Sequence, residues 1–247
     1  MSESENDLQN QPDTAPPARQ PIFLLPAPVT ALCGVLVAIN VGRSWLINPA
    51  ADESILAWLS FFPYRIIDPA SVEGGWLPII WTPFTHAFLH QGWEHLLLNT
   101  VWLAIFATPV ANRYGGWAML AIFLIGAFAG ALAFAATTLP HLALLLGASG
   151  GIAALTAAAI RFIFQPPIIA VDPETGERRI LGRRLASVRE VIASPNARIF
   201  ALVWIVLNGI VPLLPVLTGM DLEIAWQAHL GGFAAGFFLV PLFERRG

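Results

Sequence analysis

Apolar and polar positions divide the chain into long hydrophobic stretches separated by short polar ones. Crossing a hydrocarbon core of roughly 30 Å as a helix takes about 20 apolar residues. Six segments reach or approach that length: residues 29–47, 83–108, 117–138, 148–165, 199–218 and 225–243. Glycines and prolines are scattered through these Leu-, Ala-, Ile- and Phe-rich runs, the pattern of interrupted membrane helices. The sequence therefore predicts an all-α integral membrane protein, a bundle of six transmembrane helices. The fourth segment is the shortest and opens on Gly147-Ala148-Ser149-Gly150-Gly151, so its helix is expected to begin within the bilayer. Irregular backbone at that depth is tolerated only beside protein or a water-filled cavity, so a wet pocket is expected there.

The remaining segments fix the organisation. Residues 1–28 read as a disordered cytoplasmic tail, because the opening MSESENDLQNQPDTAPPARQP has acids and prolines but no apolar periodicity with which to offset ordering. It lacks the basic start and apolar core of a secretory signal, so the first span must supply targeting. Residues 29–243 form the membrane domain and 244–247 a cytoplasmic C-terminal tail. The long first outer loop, 48–82, contains ILAWLSFFPYRII, too short to span. It reads either as an interfacial segment against the bilayer or as a loop folded over the helices.

Composition and charge narrow the function. Only 12% of residues are charged, against roughly 25% in an ordinary soluble domain. All 13 basic residues are arginine and the formal net charge is -3, which argues against a nucleic-acid partner. With Cys33 alone, the chain can form no internal disulfide and no cysteine-rich metal module. Six spans put eleven of the arginines on one side and only Arg43 and Arg65 on the other. By the positive-inside rule both termini are then cytoplasmic. The arginine-rich connection 166–198 reads as a solvated loop touching anionic headgroups.

Polar side chains inside spans are costly and usually functional. The second span holds His86, His90, Glu94, His95 and Asn99. On one continuous helix His86, His90 and Glu94 would share a face, and His95 and Asn99 would form a second pair. Zinc-protease motifs need two residues between His and Glu, whereas His90 and Glu94 have three, so no metal site is expected. A structural role for His86 and His90 in hydrogen-bonding the outer loop is the better reading.

Ser149 at a glycine-flanked helix start could be an N-cap, but the same glycines let a substrate backbone approach its hydroxyl at a helix end that favours negative charge. In the sixth span, Gly232 and Gly236 lie on the helical face of His229 and permit a close helix contact. Packing them on a row formed by Ser149, Ala153 and Ala157 would bring His229 towards Ser149. No acid lies near His229 within that span, Asp221 and Glu223 being at its outer mouth, so a dyad is simpler than a triad. His95, Asn99 and the Ser149 backbone N–H have the right chemistry for an oxyanion.

Taken together, FTHAFLHQGWEHLLLN, GASGG and AHLGGFAAG, in this order on the second, fourth and sixth of six spans, resemble the rhomboid intramembrane serine proteases. The resemblance covers residues 81–240 or so. It implies a six-helix rhomboid-like bundle with Ser149 as nucleophile, His229 as general base, and His95 and Asn99 as oxyanion stabilisers. Gly147, Gly150, Gly232 and Gly236 would support them. It further implies peptide-bond cleavage of single-span membrane proteins in or near their transmembrane segment, with no cofactor and no metal. A bacterial inner membrane suits the short tail. Many family members have a Trp-Arg pair just before the second span, where this chain has Trp81-Thr82. Two other readings stand beside this one: an inactive rhomboid-like protein that binds membrane clients, and a small transporter or channel whose flux would survive Ser149→Ala.

Overall fold

The computed structural model describes residues 25–173, 175–210 and 225–244. The chain runs through α1 (Ala27–Val41), α2 (Pro49–Leu59), α3 (Thr82–Thr85), α4 (Gly92–Tyr114), α5 (Gly116–Thr138) and α6 (Ser149–Ile163). An antiparallel hairpin follows, β1 (Pro167–Val171) and β2 (Arg178–Arg183), and then α7 (Val188–Ala193), α8 (Pro195–Ile205) and α9 (Trp226–Leu239). Prolines in the first turns of α1, α2 and α8 set their starts, where a missing N–H costs nothing. Among the described residues four helices are long and apolar enough to cross a membrane: Ala27–Leu46, Gly92–Tyr114, Gly116–Thr138 and Trp226–Phe243. Two shorter apolar helices, Ser149–Ile163 and Pro195–Ile210, correspond to the fourth and fifth predicted spans. Residues 211–218 of the fifth, and Asp221 and Glu223, lie outside the described residues.

α6 is the centre of the bundle, with every residue from Gly150 to Phe162 buried. Small side chains let its neighbours approach to backbone distance. A Cβ added to Gly126 of α5 would lie 2.3 Å from the Ala154 Cβ. One added to Gly232 or Gly236 of α9 would lie 2.0 Å from the carbonyl oxygen of Gly150 or Ala154. The backbone contacts with α9 are made by Gly150 and Ala154, and Ala153 and Ala157 of the expected row pack beside them in a cluster with Trp204 and with Phe233 of α9. This shift of one residue leaves Ser149 beside the seam instead of beneath it. At 1.5 Å per residue α6 is about 22 Å long, short of a hydrocarbon core of roughly 30 Å, so its first residue falls below the membrane surface.

The loop 48–82 is folded and apolar at once. Arg65 is fully buried inside it, donating through Nη1 to the carbonyls of Glu73 (2.7 Å) and Gly75 (2.9 Å) and through Nη2 to that of Ala57. Trp81 stacks on Trp58 and donates its indole N–H to the Trp58 carbonyl at 2.8 Å. Ile66, Ile67, Trp76, Leu77 and Ile80 stay exposed on the outside of this loop. The loop 48–82 is thus folded around Arg65 and presents an apolar outer surface.

Several boundaries differ from those the apolar pattern suggests. α1 starts at Ala27, two residues inside the stretch assigned to the tail, and residues 1–24 lie outside the described residues. At the other end Glu244 is not a free tail residue, since its Oε1 accepts from Arg113 (2.7 Å) and from the Tyr114 hydroxyl (2.6 Å). Arg161, counted with the fourth connection, is buried in the last turn of α6 and donates to the carbonyls of Ala186 and Phe237, each at 2.6 Å. The connection itself holds the hairpin and α7, so the fold is helical with one small sheet added.

α7 begins in a capping box, with the Ser187 N–H donating to Glu190 Oε2 at 2.7 Å and the Glu190 N–H donating to Ser187 Oγ at 3.3 Å. The Arg184 guanidinium, and then the Ser187 N–H, hold the Glu190 carboxyl down from its ordinary 4.5 to about 2. A carboxyl lowered on folding stabilises above its unfolded value and loses that contribution as pH falls through the folded one. Protection factors of the α7 amides, taken relative to intrinsic exchange at each pH, should therefore be unchanged from pH 7 to 5 and fall between about pH 4.5 and 2. Flat protection across that window would contradict the assignment.

Candidate active site

The site is assembled at the N-terminal end of α6. Gly147 immediately precedes the helix with φ +118°, a conformation reserved for glycine. A Cβ there would lie 2.8 Å from Cε1 and 2.9 Å from Nε2 of His95, and 3.9 Å from Ser149 Oγ. Gly147 is thus the floor of a notch with His95 on one side and Ser149 on another. Two straps hold this turn. The Gly147 N–H donates to the His86 carbonyl at 2.9 Å, and the Ala148 N–H donates to His90 Nε2 at 3.4 Å. His90 is anchored in turn by Arg43, whose Nη1 reaches its carbonyl at 3.0 Å while Nε pairs with Asp52 at 2.7 Å.

His86, His90 and Glu94 do not share a helical face, as the i, i+4 spacing suggested. The helix breaks after Phe88, with Leu89 extended and Gly92 at φ +84°, and α4 begins only at Gly92. The second span is therefore Gly92–Tyr114, roughly two turns later at each end than 83–108. This break is what frees His86 and His90 to face the Gly147 turn. Among the described residues no group of three or more His, Cys, Asp or Glu side chains could hold a metal ion.

His95 and Asn99 are one turn apart on α4, the first half-buried and the second buried. The Gln91 N–H donates to His95 Nδ1 at 3.4 Å. In neutral imidazole that leaves the proton on Nε2, the nitrogen beside Gly147, as a donor into the notch. Asn99 donates one amide hydrogen to the His95 carbonyl at 2.9 Å and so braces the turn that presents the ring. Ser149 is the first residue of α6, where backbone N–H groups have no intrahelical acceptor.

α9 brings His229 to the same level. A Cβ on Gly150 would meet the Ala228 carbonyl oxygen at 3.3 Å, so the residue after Ser149 touches the residue before His229. His229 is half-buried, and its Nδ1 is closed off with no hydrogen-bond partner among the described residues. Its ring lies within electrostatic reach of His95 and beside the Asn208 backbone. Ser149 and His95 thus border a glycine-floored notch, and His229 lies on the segment packed beside Gly150; all three residues are partly open to their surroundings.

A model of the Rhomboid domain matches residues 78–246, about two thirds of the chain. The chain belongs to the rhomboid family. No curated protein matches it in sequence. Family and apolar helices together make it an integral membrane protein of a family whose members are typically intramembrane serine proteases.

Position 82, where the rhomboid pattern often has arginine, is here a buried threonine, and Arg65 supplies the guanidinium that fills the loop. Sequence reasoning also missed Gln91, which sets the His95 proton, and the paired Gly126 and Gly130 of α5. A Cβ on Gly130 would meet the Ala228 carbonyl at 2.7 Å, so Gly130 seats the segment that carries His229 while Gly126 seats α6. The signal was present as a second GxxxG, Gly126-Ala127-Phe128-Ala129-Gly130. Gly147→Ala should cut any activity of this rhomboid by about 10²- to 10³-fold, the loss typical of one displaced oxyanion donor, because the methyl group displaces the His95 ring. Thermal unfolding of the variant alongside turnover checks this, and a Gly147→Ala protein with unchanged turnover would contradict the notch.

Proposed function

We propose that this rhomboid is an intramembrane serine endopeptidase that cleaves single-span membrane proteins in or near their transmembrane segment. The observation that supports it most is the notch itself, in which Ser149 opens a buried helix beside His95 while the Gly150–Ala228 contact brings up His229. Ser149 Oγ attacks the scissile carbonyl carbon as His229 takes the hydroxyl proton. The C–O bond forms, the carbonyl π pair moves to oxygen, and the oxyanion is met by His95 Nε2–H, the Ser149 backbone N–H and the Asn99 amide. Collapse breaks the C–N bond, with His229 returning its proton to the leaving amine. Water, deprotonated by His229, then hydrolyses the acyl-enzyme and restores Ser149. The chemistry calls for neither a metal nor a cofactor. Helix packing takes the place of an orienting carboxylate. Substrate partners are single-span proteins reaching the notch from the bilayer; the arginine distribution supports a cytoplasmic position for both termini and the hairpin, and a bacterial inner membrane is the proposed setting.

The test is reconstitution of the full chain in lipid with a single-span model substrate and mass analysis of the products. One cut within or bordering the apolar segment is the expected result. Substrate left intact by a protein that a serine-reactive probe also fails to label would overturn the reading in favour of client binding without cleavage.

A further inference from the structure

The β1–β2 hairpin exposes far more apolar surface than two strands in water would. Ile168, Ile169, Val171, Ile180 and Leu181 are between 48% and 72% exposed. Ile169 pairs across the ladder with Ile180, and a bulge beside Ile168 adds Leu181 as an extra aliphatic residue. An isolated two-stranded ribbon is marginal in water, and an unpartnered apolar patch usually marks a contact surface. The hairpin is nonetheless held in place. Arg113, at the end of α4, donates to the Arg183 carbonyl, and Arg183 donates to that of Gln165.

Its position says what covers it. α6 ends at Ile163 and β1 starts at Pro167, so the hairpin leaves directly from the membrane boundary opposite Ser149. Between hairpin and bundle lies a groove of about 670 Å³, lined by Pro109, Phe162, Ile168, Ile180 and Leu181 and by Arg183 and the Arg113–Glu244 ion pair. Pro109 sits inside the membrane span Gly92–Tyr114, so the groove runs from the ribbon to acyl-chain depth. The charges suit the same surroundings. The ladder carries Arg178, Arg179 and Arg183 and no acid, while Asp172 and Glu177 flank the turn. Arg178 makes no ion pair among the described residues, and Arg179 meets only Glu177, at 4.0 Å with both side chains exposed.

We propose that the hairpin is a docking element for anionic phospholipids of the leaflet opposite Ser149, with its aliphatic side chains seated among acyl chains at the groove and Arg178 and Arg179 on lipid phosphates. Apolar contact and basic residues at one interface each add to such binding. The inference rests on the chain being a membrane protein and is independent of proteolysis.

The experiment uses the full chain with Cys33→Ala and Ile180→Cys, labelled with an environment-sensitive nitrobenzoxadiazole dye, in nanodiscs of phosphatidylcholine with or without phosphatidylglycerol. A second attachment, Val171→Cys, guards against a local effect of the label. The expected result is blue-shifted emission quenched by shallow spin-labelled lipid, with spin-labelled phosphatidylglycerol preferred over spin-labelled phosphatidylcholine. Arg178→Gln with Arg179→Gln should reduce that preference about tenfold. Unshifted, unquenched emission at both sites would overturn the proposal. So would equal quenching by both lipids that ignores the arginines, or a blue shift without lipid quenching, which would mean that a second copy covers the face.

Discussion

Ser149→Ala, His229→Ala and the double variant are expected to lose cleavage to the same floor, by about 10⁴- to 10⁶-fold, while unfolding at the temperature of the parent. Members of a nucleophile–base unit act together, so removing one costs nearly as much as removing both. The geometry explains why the fold survives. Ser149 is not the cap of α6, whose N-cap is Ala148, and the His229 Nδ1 has no partner among the described residues to lose. Neither side chain contributes to the seam, which is built from Gly150, Ala154, Gly232 and Gly236. Turnover of a reconstituted substrate, measured beside thermal unfolding of the same samples, checks both halves. Additive losses in the double variant would mean that the two residues do not act as a unit.

Gly236→Ala is the largest expected effect on stability. Its new Cβ would lie 2.0 Å from the Ala154 carbonyl oxygen and 2.5 Å from the Ala154 Cα, contacts that only backbone movement can relieve. Overpacking a close-packed core costs typically 1–3 kcal/mol, and here a whole helix must retreat, so about 3 kcal/mol is expected. Since α9 carries His229, cleavage should fall with it. Gly34→Ala on α1 is the control, because nothing lies within 4 Å of its added Cβ. Thermal unfolding in detergent should show Gly236→Ala well below the parent and Gly34→Ala beside it; equal midpoints for the two variants would mean that α6 and α9 are not in backbone contact.

The helical membrane fold was legible because apolar length is a strong signal, and the segments at 117–138 and 148–165 became α5 and α6 within one or two residues. The close seam was legible from Gly232 and Gly236, since residues four apart on a helix share a face. Its register was not. Choosing between Gly150–Ala154 and Ser149–Ala153 depends on how α6 is rotated, and its small residues lie on every side. The His86–His90–Glu94 face failed because spacing assumes an unbroken helix, while Gly92 takes a left-handed conformation that a sequence pattern does not reveal. The hairpin was read as a polar loop, although Asp172-Pro173 and Thr175-Gly176 are turn dipeptides between two short aliphatic runs. Its bulge spoils the strict alternation by which strands are recognised. Arg161 counted as a loop charge because no pattern shows that two carbonyls wait for it at the end of a buried helix.

The proposed role of Ser149 as a nucleophile activated by His229 is tested most directly by covalent labelling. The reconstituted full chain would be treated with a fluorophosphonate probe and digested, and the modified residue located by mass spectrometry, with His229→Ala run beside it. The account predicts a single adduct on Ser149 that disappears in His229→Ala. A well-folded parent protein that takes no label, or a Ser149 adduct formed equally well without His229, would contradict it.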